Sequence, residues 1–149
     1  MSDLSVHFSL AELTASSTAR ARGIVNDPPP EIYARLQQTA QAMETVRVLL
    51  GDRPIRISSG YRSPQLNRAI GGSATSAHCL GYAVDFTCPE FGSPYDVCQK
   101  ILGSGVAFDQ LIHEYGSWTH ISVDPRGRQQ PLTIANARRG YMAGILRIS

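Results

Sequence analysis

The stretch SAHCLGYAVDF, residues 76–86, sets His78 seven positions before Asp85, with small, apolar and aromatic residues between them. An imidazole and a carboxylate can share a metal ion or a proton. If Gly81–Phe86 is a strand, its side chains alternate. Tyr82, Val84 and Phe86 then share a face suited to a core, and Gly81, Ala83 and Asp85 share the other. Two minimal side chains beside the carboxylate leave a hollow. His78, in the loop before the strand, can fold back over it. A second stretch, HEYGSWTHISV (113–123), places Trp118, His120 and Ser122 on one strand face and Thr119, Ile121 and Val123 on the other. His120 is the candidate third ligand, with Trp118 as a wall beside it. Two histidines, one aspartate and an open fourth position describe a catalytic zinc centre. Cys79, Cys88 and Cys98 lack CxxC spacing, which argues against soft-metal and iron–sulfur sites. Each residue also has a plainer reading. A loop histidine is more often a surface or helix-capping residue, Asp85 could hydrogen-bond a neighbouring loop, and His120 could be a satisfied strand histidine. Spacing alone leaves these open.

The elements that must position these residues are legible in outline. HFSLAELTASS reads as a short helix with Ser9 as N-cap and Glu12 as its capping-box partner. NDPPPE (26–31) is a loop, with Pro30 at the first position of the next helix. That helix runs from Glu31 to about Leu50, with Ile32, Leu36, Ala40, Met43, Val46 and Leu50 along one face and Gly51 as C-terminal cap. PIRISSGYRS (54–63) opens as a strand, and Gly60 turns the chain. SPQLNRAIGG is a short helix, SATSAH a loop, LGYAVDFTC a strand and SPYDVCQKILGSG a helix. FDQLIHEY and WTHISVD read as paired strands, and the last stretch has no clear pattern. Helices come early and strands late, so the expected fold is α+β, with a small antiparallel sheet carrying the zinc site against N-terminal helices.

The 149 residues suit one domain, 1–149, and 42% hydrophobic content is enough for one core. A net charge of +2, from 14 Lys+Arg against 12 Asp+Glu, does not suggest nucleic-acid binding. The basic residues near the C-terminus, Arg126, Arg128, Arg138 and Arg139, read as a solvated surface. Three cysteines do not make a secreted disulfide framework. No stretch approaches the ~18 apolar residues of a membrane span. The N-terminus lacks the basic and apolar regions of a signal peptide. Synthesis in a bacterial host cytoplasm and a monomeric state are expected, with action after release or delivery.

Ser76-x-His78-x-x-Gly81-x-Ala83-x-Asp85 resembles the SxHxxGxAxD motif of the zinc D-Ala-D-Ala carboxypeptidases and related peptidoglycan endopeptidases, the M15 peptidases. Trp118-x-His120 resembles that family's WxH, and SSGYRSPQLN (58–67) its SGYRS segment. FSLAELTASSTARARGIVNDPPPEI resembles the N-terminal part of a phage and prophage subgroup. The hedgehog amino-terminal signalling domain shares this fold and zinc site. The resemblance implies Zn2+ held by His78, Asp85 and His120, with Arg62 reaching into the site to bind a substrate carboxylate or an oxyanion. It implies a substrate or metal-proximal role for Ser76, and a site wall at Trp118. The implied chemistry is metal-assisted hydrolysis of a peptide bond in bacterial cell-wall peptidoglycan, by a carboxypeptidase or a stem or cross-link endopeptidase of lytic, endolysin type. The alternative it implies is a catalytically weak, hedgehog-like zinc-containing binding module.

Many members of the family carry a carboxylate three residues before the last histidine, where this chain has Ser117. The resemblance then points to Glu114 as general base, with His113 as runner-up. Strand register decides between them. A two-residue turn at Gly116–Ser117 would pair His113 with His120 and turn Glu114 away. A three-residue loop, Tyr115–Gly116–Ser117, would pair Glu114 with Trp118 and put it on the ligand face. Glycine in the loop permits the odd length, so the three-residue loop is expected.

Overall fold

A computed structural model describes residues 3–148. Three helices come first. α1 (Leu10–Thr14) begins with the Ser9–Glu12 capping box, in which each side chain satisfies a free backbone N–H of the other. α2 (Ser17–Arg22), not expected from the sequence, starts from a second cap, Ser16, whose hydroxyl accepts from the Ala19 N–H. α3 (Pro30–Leu49) starts on Pro30 as expected and buries Ile32, Leu36, Ala40, Met43 and Val46.

The remaining elements mix helices and strands and end in four consecutive strands. They are β1 (Arg56–Ser59), α4 (Pro64–Ala69), α5 (Ala77–Leu80), β2 (Ala83–Thr87), α6 (Pro94–Ser104), β3 (Gln110–Glu114), β4 (Trp118–Ser122), β5 (Gln130–Ile134) and β6 (Tyr141–Ala143). The strands form one six-stranded sheet in the order β1-β2-β4-β3-β5-β6. Fold class is therefore α+β. One ladder departs from the antiparallel expectation: β5 runs parallel to β3, with Glu114 opposite Ile134. β5 and β6 lie in the stretch that had no legible pattern. Pro131 interrupts β5, and β6 has only three residues, so neither shows a period.

One sheet face carries Val84, Phe86, Leu111 and Ile121, which pack with Leu36 and Met43 of α3 and with Val97, Cys98 and Ile101 of α6. Each such side chain contributes roughly 1.5–3 kcal/mol when removed from water. This core fixes the sheet, and the opposite face is left to carry polar residues. All three cysteines are free thiols. Among the described residues no helix is long and apolar enough to cross a membrane.

Candidate active site

His78 sits in α5, not in a loop. The Ser76 hydroxyl caps this single turn by accepting from the His78 N–H at 3.2 Å. Gly81 ends it in the left-handed region, φ 81°, which turns the chain into β2. The His78 Nδ1 lies 2.8 Å from the Gly60 carbonyl oxygen. A carbonyl only accepts, so Nδ1 carries the proton and Nε2 is left with a bare lone pair. That nitrogen is 3.2 Å from Asp85 Oδ1. Asp85 and His120 are direct cross-strand partners in β2 and β4. His120 Nδ1 lies 2.9 Å from the same Asp85 oxygen. The two rings meet edge-on, 5.1 Å between centroids.

All three side chains are buried, and one ligand atom from each lies within 4.8 Å of the others. A tetrahedral site with bonds of ~2.0 Å has edges of about 3.3 Å, close to the 3.2 and 2.9 Å gaps. Burial would raise the Asp85 carboxyl, but the hydrogen bond from His120, with the neighbouring His78 imidazole, outweighs it and holds the group well below the usual carboxylate range. Burial pushes the His78 imidazole down, against the pull of Asp85, and so favours the neutral form a ligand needs. Bare imidazole, bare carboxylate and imidazole make the donor set of a catalytic zinc centre. Cys79 lies outside this set.

Glu114 pairs with Trp118, and His113 with Thr119. The loop is therefore Tyr115–Gly116–Ser117. Tyr115 and Gly116 both take positive φ, 59° and 68°, and the Ser117 N–H closes on the Glu114 carbonyl at 2.9 Å. Glu114 thus shares the face of Trp118 and His120, and its Oε1 is 3.8 Å from His120 Nδ1. Burial and the Asp85 charge raise its carboxyl, against His120, the nearby Trp118 indole and Arg62. His113 is on the opposite face, buried, with Nδ1 on the Leu146 carbonyl at 2.9 Å.

Arg62 is anchored by its backbone N–H on the His78 carbonyl, 3.2 Å, and by its guanidinium donating to the Ser76 hydroxyl, 3.0 Å. Its Nε is buried with no partner among the described residues. Burial lowers its pKa, while Asp85, Cys79 and Glu114 favour the cation. Ser76 thus touches both the helix that holds His78 and the arginine. Arg62, Asp85 and Trp118 line a cleft of about 330 Å³, which Ser16, Ser17 and Ser58 also line. Sequence reasoning missed the α1–α2 junction as a cleft wall; the signal was Ser16, a second cap directly after the first helix. It also missed Gly60 as the acceptor that orients His78.

A His–Asp–His set that could hold a metal ion, with a carboxylate and a guanidinium beside it on one sheet, is the arrangement that metal-dependent hydrolysis calls for. A sequence model of the family described as Peptidase M15 matches residues 6–122. The chain belongs to the M15 peptidases. It is 31% identical to the zinc D-Ala-D-Ala carboxypeptidase of Streptomyces albus G over 80 residues, which are 54% of this chain and 31% of that protein. The chain thus aligns with about a third of that curated relative's length.

Proposed function

We propose that this chain hydrolyses a peptide bond in the peptide part of bacterial peptidoglycan, using zinc held by His78 Nε2, an oxygen of Asp85 and His120 Nδ1. The observation that carries the reading is that two further charged groups flank the His–Asp–His set: Glu114, 3.8 Å from His120, and Arg62, which lines an open cleft together with Asp85. When bound, zinc would supply Lewis acidity for the scissile carbonyl and the attacking water. Glu114 takes the proton from that water and returns it to the leaving amine; its raised pKa suits the second step. The Arg62 guanidinium faces the oxygen on which negative charge develops, or binds a terminal carboxylate of the substrate. Ser76 holds that guanidinium, and Trp118 walls the substrate. The wall peptide as substrate is supported by the carboxypeptidase relative and by the motifs of residues 58–67, 76–85 and 118–120.

We further propose a lytic role of phage or prophage type, supported by the likeness of residues 8–32 to that subgroup. The working unit is a single chain, since one chain supplies every residue of the site. The test is digestion of purified cell walls with zinc-loaded protein, with and without a chelator. The expected result is falling turbidity and new amino groups without new reducing sugars, both abolished by the chelator. Wall binding with no amine release would instead support the hedgehog-like binding module.

A further inference from the structure

We propose that Tyr141 is a substrate-binding residue: with Tyr115 and Trp118 it forms an aromatic wall on the β5–β6 side of the metal centre, and its phenol O–H donates to a carbonyl of the bound peptide. The inference rests on the peptide substrate proposed above. Neither Tyr141 nor its strand falls in the family-matched segment, which ends at residue 122.

The register places it. Trp118 pairs with Glu114, Glu114 with Ile134, and Ile134 with Tyr141, across β4, β3, β5 and β6. Directly paired residues share a face, so this row runs along the face that carries the metal ligands. Tyr141 is two strand spacings from Glu114, about 10 Å between backbones. A tyrosine side chain is long enough to span much of that gap, and the charges of Glu114 and Asp85 bear on its phenol. The residue is 60% exposed and so open to a ligand.

Its neighbours extend the wall. Tyr115 is 41% exposed and stacks obliquely on Trp118, with 5.4 Å between ring centroids. It holds a positive φ of 59°, a conformation that bulky residues rarely adopt. Its backbone N–H donates to the Ile134 carbonyl at 2.7 Å, which ties the hairpin tip to β5. Three aromatic rings beside one catalytic carboxylate offer flat apolar area with little entropy to lose.

The phenol also has a chemical fit. Glu114 and Asp85 are acceptors when ionised and give nothing to a peptide carbonyl. Arg62 supplies donors on the cleft side, and the Tyr141 hydroxyl supplies one on the other. Burial of its hydroxyl end, then the charges of Glu114, Tyr115 and Asp85, raise its pKa, so it remains a donor across the neutral range.

Trp118 is the sole tryptophan of the chain and belongs to the wall, so its emission reports occupancy directly. The measurement is titration of zinc-loaded Glu114→Gln protein with a soluble cell-wall stem peptide. Tyr141→Phe, added to that protein, should weaken binding about fivefold, the loss of one neutral hydrogen bond, and Tyr141→Ala further still. With Glu114 intact, Tyr141→Phe should raise KM by the same factor and leave kcat within about twofold. Zinc content and melting temperature should stay at the parent values, since the ring is largely in solvent. Cleavage of wall peptide with unchanged affinity in Tyr141→Phe overturns the wall and leaves the peptidase reading intact. Loss of the Trp118 response in Tyr141→Phe, with no hydrolysis by the parent, keeps the wall and overturns the peptidase reading. No Trp118 response in any protein overturns the wall.

Discussion

Replacing Gly60 with alanine should cripple the metal centre without touching a ligand. A Cβ built on Gly60 lies 2.3 Å from the Leu13 carbonyl oxygen and 2.8 Å from its carbon. Such contacts do not fall below 3.0 Å, so the two backbones must part by at least about 0.7 Å. Neither can yield freely. The same Leu13 oxygen accepts from the Tyr61 N–H at 2.7 Å, and the Gly60 oxygen faces His78 Nδ1 at 2.8 Å. A shift of that size takes the second contact to about 3.5 Å, the edge of a hydrogen bond. His78 then loses the partner that fixes its tautomer and ring angle. Losing such an orienting contact typically lowers metal affinity 10–100-fold, about 1.4–2.8 kcal/mol. Strain and the weakened Tyr61 contact add a stability loss of about 2 kcal/mol, or roughly 4–8 °C in Tm for a chain of this size. Zinc competition against a chromophoric chelator near neutral pH, with a thermal melt on the same sample, reads both. Wild-type zinc affinity in a folded Gly60→Ala protein would refute the claim that this carbonyl orients the ligand.

Asp85→Ala should lose bound zinc and all activity, whereas Arg62→Ala should keep zinc and lose about 10²–10³ in turnover; metal analysis beside peptide release separates them, and equal zinc loss would contradict the assignment. Glu114→Gln should retain zinc and drop turnover by about 10²–10⁴, and near-full activity would remove Glu114 as the base. Asp109 is fully buried and held by Arg128 through two 2.8 Å contacts and the Arg128 N–H, so Asp109→Asn should cost about 2 kcal/mol in a denaturant melt. Hydrogen bonding to Arg128 lowers the Asp109 pKa below its unfolded value of ~3.9. Its contribution should therefore be complete above that value and fade as pH falls below it, so the wild-type and Asp109→Asn stabilities should converge in acid.

The parts of the site that depend on parity were readable from the sequence. Strand alternation put Asp85 and His120 on ligand-facing sides, and loop length placed Glu114 on the ligand face and His113 away from it. The parts that depend on long-range approach were not. Nothing local in SSGYRS says that Gly60 abuts Leu13, 47 residues earlier, or that its carbonyl meets His78. α5 is too short for any period, and only its flanks, Ser76 as cap and Gly81 as terminator, betray it. β5 and β6 escaped for a similar reason. Their pairing to β3 and to each other is set by where the chain returns after residue 124, not by their own composition.

Residues 6–122 hold every proposed ligand, the base and the arginine, yet they do not close the sheet. A chain cut there would leave β3 without β5, and the outward N–H and C=O groups of Gln110–Glu114 would face water beside buried Leu111 and Ile112. His113 would also lose its acceptor on Leu146 and be left buried and unsatisfied next to Glu114 in sequence. An unpaired apolar strand is a template for a second copy of itself. The trimmed protein should therefore fail first by self-association, and only then by lost chemistry. The last 25 or so residues act as a selvage: they keep the working edge of the cloth from fraying into its neighbours.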